Sequence, residues 1–400
     1  IFIEEYLLLV IALKLKPMKL QTSRIESIDV LRGIVMIIMA LDHTRDFYSN
    51  ILFDPLDLTK TNVPLFFTRW VTHFCAPIFV FLAGTSAYLY LSKGKTKKQA
   101  ATFLFTRGLW LIFVELTIIN FAWSFDYTFS FVGVQVIWAI GWSMIFLSLL
   151  VYLKPLYIGI IGILIIATHN SLDNIHVESF GNYKYLWAFL HEQYFFPYNN
   201  NSRFIGIMYP IIPWIGVIAA GFWFGTLYKL EFAKRKNILL LLGIACLLLF
   251  VLIRYSNQYG DLNIWTKQSN WYFTILSFIN CTKYPPSLLF LLITLGIAFI
   301  VLAFLENVQS KILNVVKVYG KVPFFYYILH ILFIHASAKL VAIVMGIQAT
   351  NVFDNVNNQW GFGLTGVYVA WAVNVALLYI PCLWFMKVKQ KRKDWWLSYL

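Results

Sequence analysis

The chain has 400 residues, of which 60% are hydrophobic and only 12% charged, and its formal net charge is +14. A soluble domain carries about 25% charged residues, so a water-soluble globule is excluded, as are disordered, fibrous and small disulfide-scaffold chains. What remains is a polytopic membrane protein, and the excess of positive charge becomes a question of which side of the bilayer the basic residues occupy.

Residues 1–22 read as an N-terminal extension. Tyr6–Leu15 is apolar but too short to span. It follows Glu4 and Glu5 rather than a basic region, which is wrong for a signal peptide. Met18 stands just before the polar entry to the first long apolar segment, and the natural start is expected there; an interfacial helix is the rival reading.

A membrane-crossing helix needs about 20 mainly apolar residues. Ten segments qualify in chain order: Ser27–Phe47, Phe67–Leu91, Thr102–Trp123, Val132–Leu153, the shorter Pro155–His169, Gly206–Leu230, Asn237–Arg254, Pro285–Leu305, Val322–Met345 and Leu364–Met386. Long unbroken apolar runs favour helices over the alternation of barrel strands. The expected fold is therefore an all-α helix bundle, with a transmembrane domain over 23–388 and a basic tail over 389–400.

Cytoplasmic loops attract Lys and Arg. With the N-terminus inside, the inner loops collect the cluster ending at Arg24, the Lys93–Lys98 run with Arg107, then Lys154, Lys229–Lys236, Lys311–Lys321 and the tail Lys387–Lys393. Fewer basic residues fall outside, among them Arg45, Arg69, Arg203, Arg254 and Lys283. Both termini are placed in the cytoplasm. Orientation then accounts for the charge, and no nucleic-acid partner is needed. The four cysteines, Cys75, Cys246, Cys281 and Cys382, show no metal-ligand or redox spacing, and no metal is expected.

Ionisable groups within spans default to functional hypotheses. In the first span Asp29, Arg32, Met36, Met39, His43 and Asp46 follow the three-then-four spacing of one helix face. Asp29 and His43 stand about 21 Å apart along that face. The stripe carries polar groups at both membrane surfaces and suits a helix lining a passage. Asp42, His43, Arg45 and Asp46 crowd its outer end. The second span opens with Arg69 and His73, which lies at about the depth of His43. A histidine near its ordinary pKa is the usual general base. In the ninth span Tyr326 and Tyr327 stand one turn before His330, with His335 farther out. His43, His73 and His330 are open to a metal, but no spacing demands one. Glu115, Asn120, Arg203 and Lys283 are further polar points. His169, His176 and His191 lie in or beside an aromatic-rich outer loop that reads mainly as an interfacial belt.

Ser27-Ile-Asp29-Val-Leu-Arg32-Gly33, followed by Met39, resembles the opening helix of the heparan-alpha-glucosaminide N-acetyltransferase superfamily of transmembrane acyltransferases. Asp42-His43-Thr-Arg45-Asp46 is similar to its bacterial DUF1624 branch. So are Pro213-Trp-Ile-Gly216 with Gly221 and Gly225, Lys283-Tyr-Pro-Pro-Ser287, and Gly320-Lys-Val-Pro323-Phe-Phe-Tyr-Tyr-Ile-Leu-His330. The likeness runs from about Arg24 to Lys387. The resemblance implies an acyl donor, acetyl-CoA, reached from the cytosol and an acceptor on the other side. The family's reacting residues are an Asn late in the opening helix and a His in the loop after it. His43 falls about where that Asn stands, while the loop Tyr48–Phe66 contains no His, which leaves His73 as the nearest candidate.

The combined reading is an integral membrane acyltransferase in a bacterial inner membrane. His43 or His73 is the expected base, oriented by Asp42 or Asp46. Arg45, Arg69, His330 and Tyr326 are the expected substrate-binding residues, and Arg32, Arg107 and Asp29 the expected CoA site. The expected partners are the lipid bilayer, the CoA donor and an extracytoplasmic glycan acceptor, with a homodimer left open. A proton-coupled transporter or flippase is the alternative, since a striped helix and a mid-span His also suit an ion pathway. Against it, no inverted repeat and no pair of broken helices appears.

Overall fold

The computed structural model describes residues 25–199, 202–347, 360–392 and 394–399. The N-terminal extension 1–22, with Met18, lies outside them. All ten expected segments are helical: α1 (Glu26–Tyr48), α2 (Val63–Leu91), α3 (Lys97–Ser124), α4 (Val136–Leu150), α5 (Pro155–Leu172), then after the short α6 (Lys184–Leu190) the segments α7 (Ile211–Lys229) and α8 (Phe232–Ser256), and after the short α9 (Trp271–Ile279) the segment α10 (Leu288–Leu305). The amphipathic α11 (Lys311–Lys321) precedes α12 (Pro323–Val344) and α13 (Leu364–Lys391). The molecule is an all-α polytopic bundle. Among the described residues eight of these helices are long and apolar enough to cross a membrane. α1 is not one of the eight because it carries Glu26, Asp29, Arg32, Asp42, Arg45 and Asp46, and α4 because it has 15 residues.

Local chemistry sets the helix ends. Asn62 accepts Leu65 N and Ser287 accepts Phe290 N, while Thr96 and Gln99 form a reciprocal capping box that starts α3. Pro155 and Pro323 open α5 and α12, where a missing N–H costs nothing. Two irregular turns interrupt long helices: a 3-10 turn at Val71–Phe74 in α2 and a π turn at Glu115–Ile119 in α3. His73 lies in the first and Glu115 begins the second.

α1 is the central element, in contact with α2, α11, α12 and α13. Apolar and polar residues all round it are buried, Met36 and Met39 included. The first-span stripe is thus packed side chain against side chain between its two ends, and does not line an open passage. Without a hydrophobic drive between helices in lipid, close approach at small residues holds such bundles together. A Cβ on Gly320 would sit 1.7 Å from the Asp29 carbonyl oxygen, and one on Gly33 would meet Val316 O at 2.1 Å. Gly84 and Gly221 bring α2 and α7 together in the same way, and Thr85 Oγ1 donates to Gly221 O across 3.0 Å.

A small three-stranded sheet, not expected from the sequence, covers one end of the bundle. Strand β1 (Phe131–Val134) pairs in parallel with β3 (Arg203–Ile207), which pairs antiparallel with β2 (Tyr194–Tyr198). β1 replaces the start of the expected fourth span, and β3 the start of the sixth. Asn120 anchors it: its Oδ1 accepts Gly133 N across 2.7 Å and its Nδ2 donates to Gly133 O across 3.1 Å.

Candidate active site

The residues expected to carry chemistry gather at the C-terminal end of α1. His43 Nδ1 and His330 Nε2 are 2.7 Å apart, and their rings stack at 4.9 Å. His330 Nδ1 stands 2.9 Å from the Tyr326 carbonyl oxygen. A carbonyl only accepts, so His330 Nδ1 carries the proton. In neutral His330, Nε2 is then the acceptor, and His43 Nδ1–H donates to it. The relay leaves His43 Nε2 as the basic nitrogen. Trp123 meets the His43 ring edge-on at 4.9 Å and Tyr327 at 6.3 Å, and Tyr326 stacks behind His330 at 5.0 Å.

Asp42 turns to the arginines. One carboxylate oxygen pairs with Arg69 and the other lies 3.0 Å from Arg45 Nη2. The same Arg45 nitrogen donates to Asp46 across 2.6 Å. The hydrogen bond orienting His43 therefore comes from His330, and the two aspartates instead fix Arg45 and Arg69. A cavity of about 350 Å³ opens beside this cluster, lined by Arg45, Asp46, Asp54 and Arg69 with the apolar residues of 51–55. That volume falls within the range of small-molecule sites.

His73 is buried, with its Nε2 lacking a hydrogen-bond partner among the described residues and Phe290 against its ring at 5.4 Å. The charges of Lys283, Arg69, Asp42 and Arg45 act on it, and those of His330, Asp42, Lys283 and Arg69 act on His43. The same charged residues, Asp42, Arg69 and Lys283, thus act on both histidines. His43 and His330 come together directly, and His73 joins them through shared electrostatics. Among the described residues these three do not form a set of metal-ligand atoms.

Lys283 carries more of the site than its sequence position suggested. It is buried at the corner that leads into α10, with Nζ 5.1 Å from the centre of the Tyr284 ring. Burial pushes the Tyr284 phenol up, but Lys283 and Arg69 outweigh burial and hold it below its usual value. Its one sequence signal is a lysine immediately before Tyr-Pro-Pro. Trp123 gave no signal beyond interfacial aromaticity.

The expected CoA residues lie at the opposite end of α1. Arg32 donates to Leu82 O across 3.1 Å and to Ser86 Oγ, and stands 3.9 Å from Asp29. The charges of Arg32 and Arg107 act on each other, so the fold brings these two cations near one another. The last described residues close over this end, where Tyr399 bonds the Thr106 hydroxyl across 2.8 Å. Nearby, Glu306 accepts a forked bond from Arg235 and also the Ser27 hydroxyl across 3.2 Å.

Residues 24–253 match the family model described as heparan-alpha-glucosaminide N-acetyltransferase, catalytic. None of the curated proteins compared with the chain matches it.

Proposed function

The chain belongs to the heparan-alpha-glucosaminide N-acetyltransferase catalytic family, and on that premise we propose that it moves an acetyl group from cytosolic acetyl-CoA to an amine or hydroxyl of an extracytoplasmic glycan. The observation that carries the reading is the Tyr326–His330–His43 relay, whose neighbour in sequence, Asp42, pairs with the two arginines that line the cavity. The acceptor group gives its proton to His43 Nε2 as its nitrogen or oxygen attacks the thioester carbonyl carbon. The C–S bond then breaks, the acetyl group stays on the acceptor, and CoA leaves as a thiolate that takes a proton. Positive charge arriving on His43 is shared across the 2.7 Å bond to His330. Arg45 and Arg69 hold an anionic acceptor or the developing oxyanion, their own positions fixed by Asp42. Tyr326 acts behind His330 as a positioning residue. His73 is the second candidate base.

The orientation is part of the proposal: ten crossing segments in a bacterial inner membrane, with both termini cytoplasmic. The short α4, counted as a crossing in this proposal, packs along α3 in the reverse direction. At its start Gln135 N donates to Glu115 next to the sheet, and just beyond its end the Tyr152 carbonyl accepts from Lys97 at the basic end of α3. Ser49 at the end of α1 bridges to Phe362 just before α13, consistent with both lying on the sheet side. Arg32 and Arg107 then face the cytosol, where they meet the CoA phosphates.

Proteoliposomes supplied with labelled acetyl-CoA on one side and glucosamine as probe acceptor on the other test this reading. Labelled product on the acceptor side, with one thiol released per acetyl group, supports it. Uptake or binding of label without thiol release favours the transporter class instead.

A further inference from the structure

A second cluster lies away from α1, where the end of α5 meets the end of α6. His169, Asp173 and His191 each offer one ligand atom, and these atoms all lie within 4.8 Å of one another. His169 is only 2% exposed, and neither of its ring nitrogens has a hydrogen-bond partner among the described residues. A buried histidine serving packing alone has a partner for at least one ring nitrogen, because a buried polar group without one is costly. His191 is equally buried. Its Nε2 stands 3.1 Å from Asp173 Oδ1 and its Nδ1 has no partner. The two imidazole rings are 5.7 Å apart and inclined at 70°.

The carboxylate is held from behind. Asn170 Nδ2 donates to Asp173 Oδ2 across 2.7 Å, which leaves Oδ1 toward the histidines. This is the arrangement by which outer groups orient a metal-binding carboxylate. Asn170 Oδ1 in turn accepts Leu288 N across 2.9 Å, at the start of α10.

We propose that His169, Asp173 and His191 bind a divalent transition metal, zinc by ligand class, with a fourth position left for water. Two imidazoles and a carboxylate suit zinc and exclude the all-oxygen preference of magnesium or calcium. Bonds of roughly 2.0–2.1 Å in a tetrahedron place ligand atoms about 3.3 Å apart. The His191–Asp173 pair already stands near that spacing, and rotation of the unpartnered His169 ring closes the rest. The metal would tie the end of α5 to the end of α6. Through Asn170 it would also brace the corner that carries Lys283. The inference is independent of the acyltransferase reading.

The test uses the full chain in detergent, purified without a histidine tag, stripped with chelator and dialysed. Zinc chloride alone is then added. The expected result is one zinc retained per chain by elemental analysis and a melting temperature raised by roughly 3 °C at a hundredfold excess over Kd. The variants His169→Gln and Asp173→Asn, chosen to keep the packing, lose both effects. His176→Ala keeps both, since His176 is exposed and paired with Glu192 outside the cluster. Wild type retaining no more zinc than the His169→Gln variant overturns the proposal. So does a loss in His176→Ala as large as in Asp173→Asn.

Discussion

Replacing His330 with phenylalanine isolates what the relay contributes. The ring keeps its place between Tyr326 and His43, stacked at 5.0 and 4.9 Å. The substitution removes the acceptor for His43 Nδ1 and the donor to the Tyr326 carbonyl. The His43 Nδ1–H, buried against Trp123 and Tyr327, loses its partner. A buried donor left unmade costs about 1–3 kcal/mol. Part of that cost falls on the ground state. The remainder appears in the transition state, where His43 becomes positive and has no neighbour to share the charge. A loss of about 1–2 kcal/mol in the chemical step lowers kcat by roughly 5- to 30-fold. The CoA end of α1 is untouched, so KM for acetyl-CoA stays within about twofold. The assay is acceptor-dependent thiol release by purified protein at saturating donor. His330→Gln keeps an acceptor oxygen and should recover a good part of the rate. Equal rates for wild type and His330→Phe would refute the relay, and a rate kept by the Phe variant but lost by the Gln variant would show that ring packing alone matters.

Arg69→Met strands the Asp42 carboxylate with Arg45 as its one remaining ion-pair partner among the described residues. Breaking a buried pair on one side costs about 3–5 kcal/mol; thermal melts should show a large drop that Asp42→Asn partly restores in the double variant. Gly320→Ala puts a Cβ where the Asp29 carbonyl oxygen already sits, and folded protein should be lost on gel filtration, whereas Gly363→Ala, with open space around it, should behave as wild type. Arg32→Gln and Arg107→Gln should each raise KM for acetyl-CoA by roughly tenfold and leave the maximal rate nearly unchanged. Asp126, in the turn before β1, accepts from Thr128 and Ser130, and those bonds hold its carboxyl below the usual range. A lowered native pKa stabilises only above the unfolded value of about 3.9 and is lost as pH falls through the lower native one. Hydrogen-exchange protection factors at β1, corrected for the intrinsic rate at each pH, should therefore fall on acidification below about pH 4, and Asp126→Asn should show the lower protection already at neutral pH.

The helices were legible because lipid imposes long apolar runs, and each of the ten runs is helical. The starts of α4 and α7 were not, because Phe131–Val134 and Phe204–Ile207 are nearly as apolar as the helices they adjoin, and β1 pairs only with β3, which is distant in sequence. The stripe on α1 correctly joined Asp29, Arg32, His43 and Asp46 on one element. What one helix face cannot reveal is the partner across the bundle: His43 and His330 are 287 positions apart. The same limit hid the role of Lys283, whose corner is set against α1 and α2 by the fold. It also hid the His169–Asp173–His191 cluster. There the first two residues are a helical turn apart, but the third comes from another element and its aromatic surroundings read as a membrane belt.

The most direct test of the account is single-turnover acetyl transfer by the full-length protein and by its His43→Ala variant, with acetyl-CoA and glucosamine both saturating. Wild type should transfer the acetyl group with matched thiol release. His43→Ala, still folded and still binding acetyl-CoA, should lose 10²- to 10⁴-fold in rate, the usual contribution of a positioned base. An unchanged rate in His43→Ala would contradict the account.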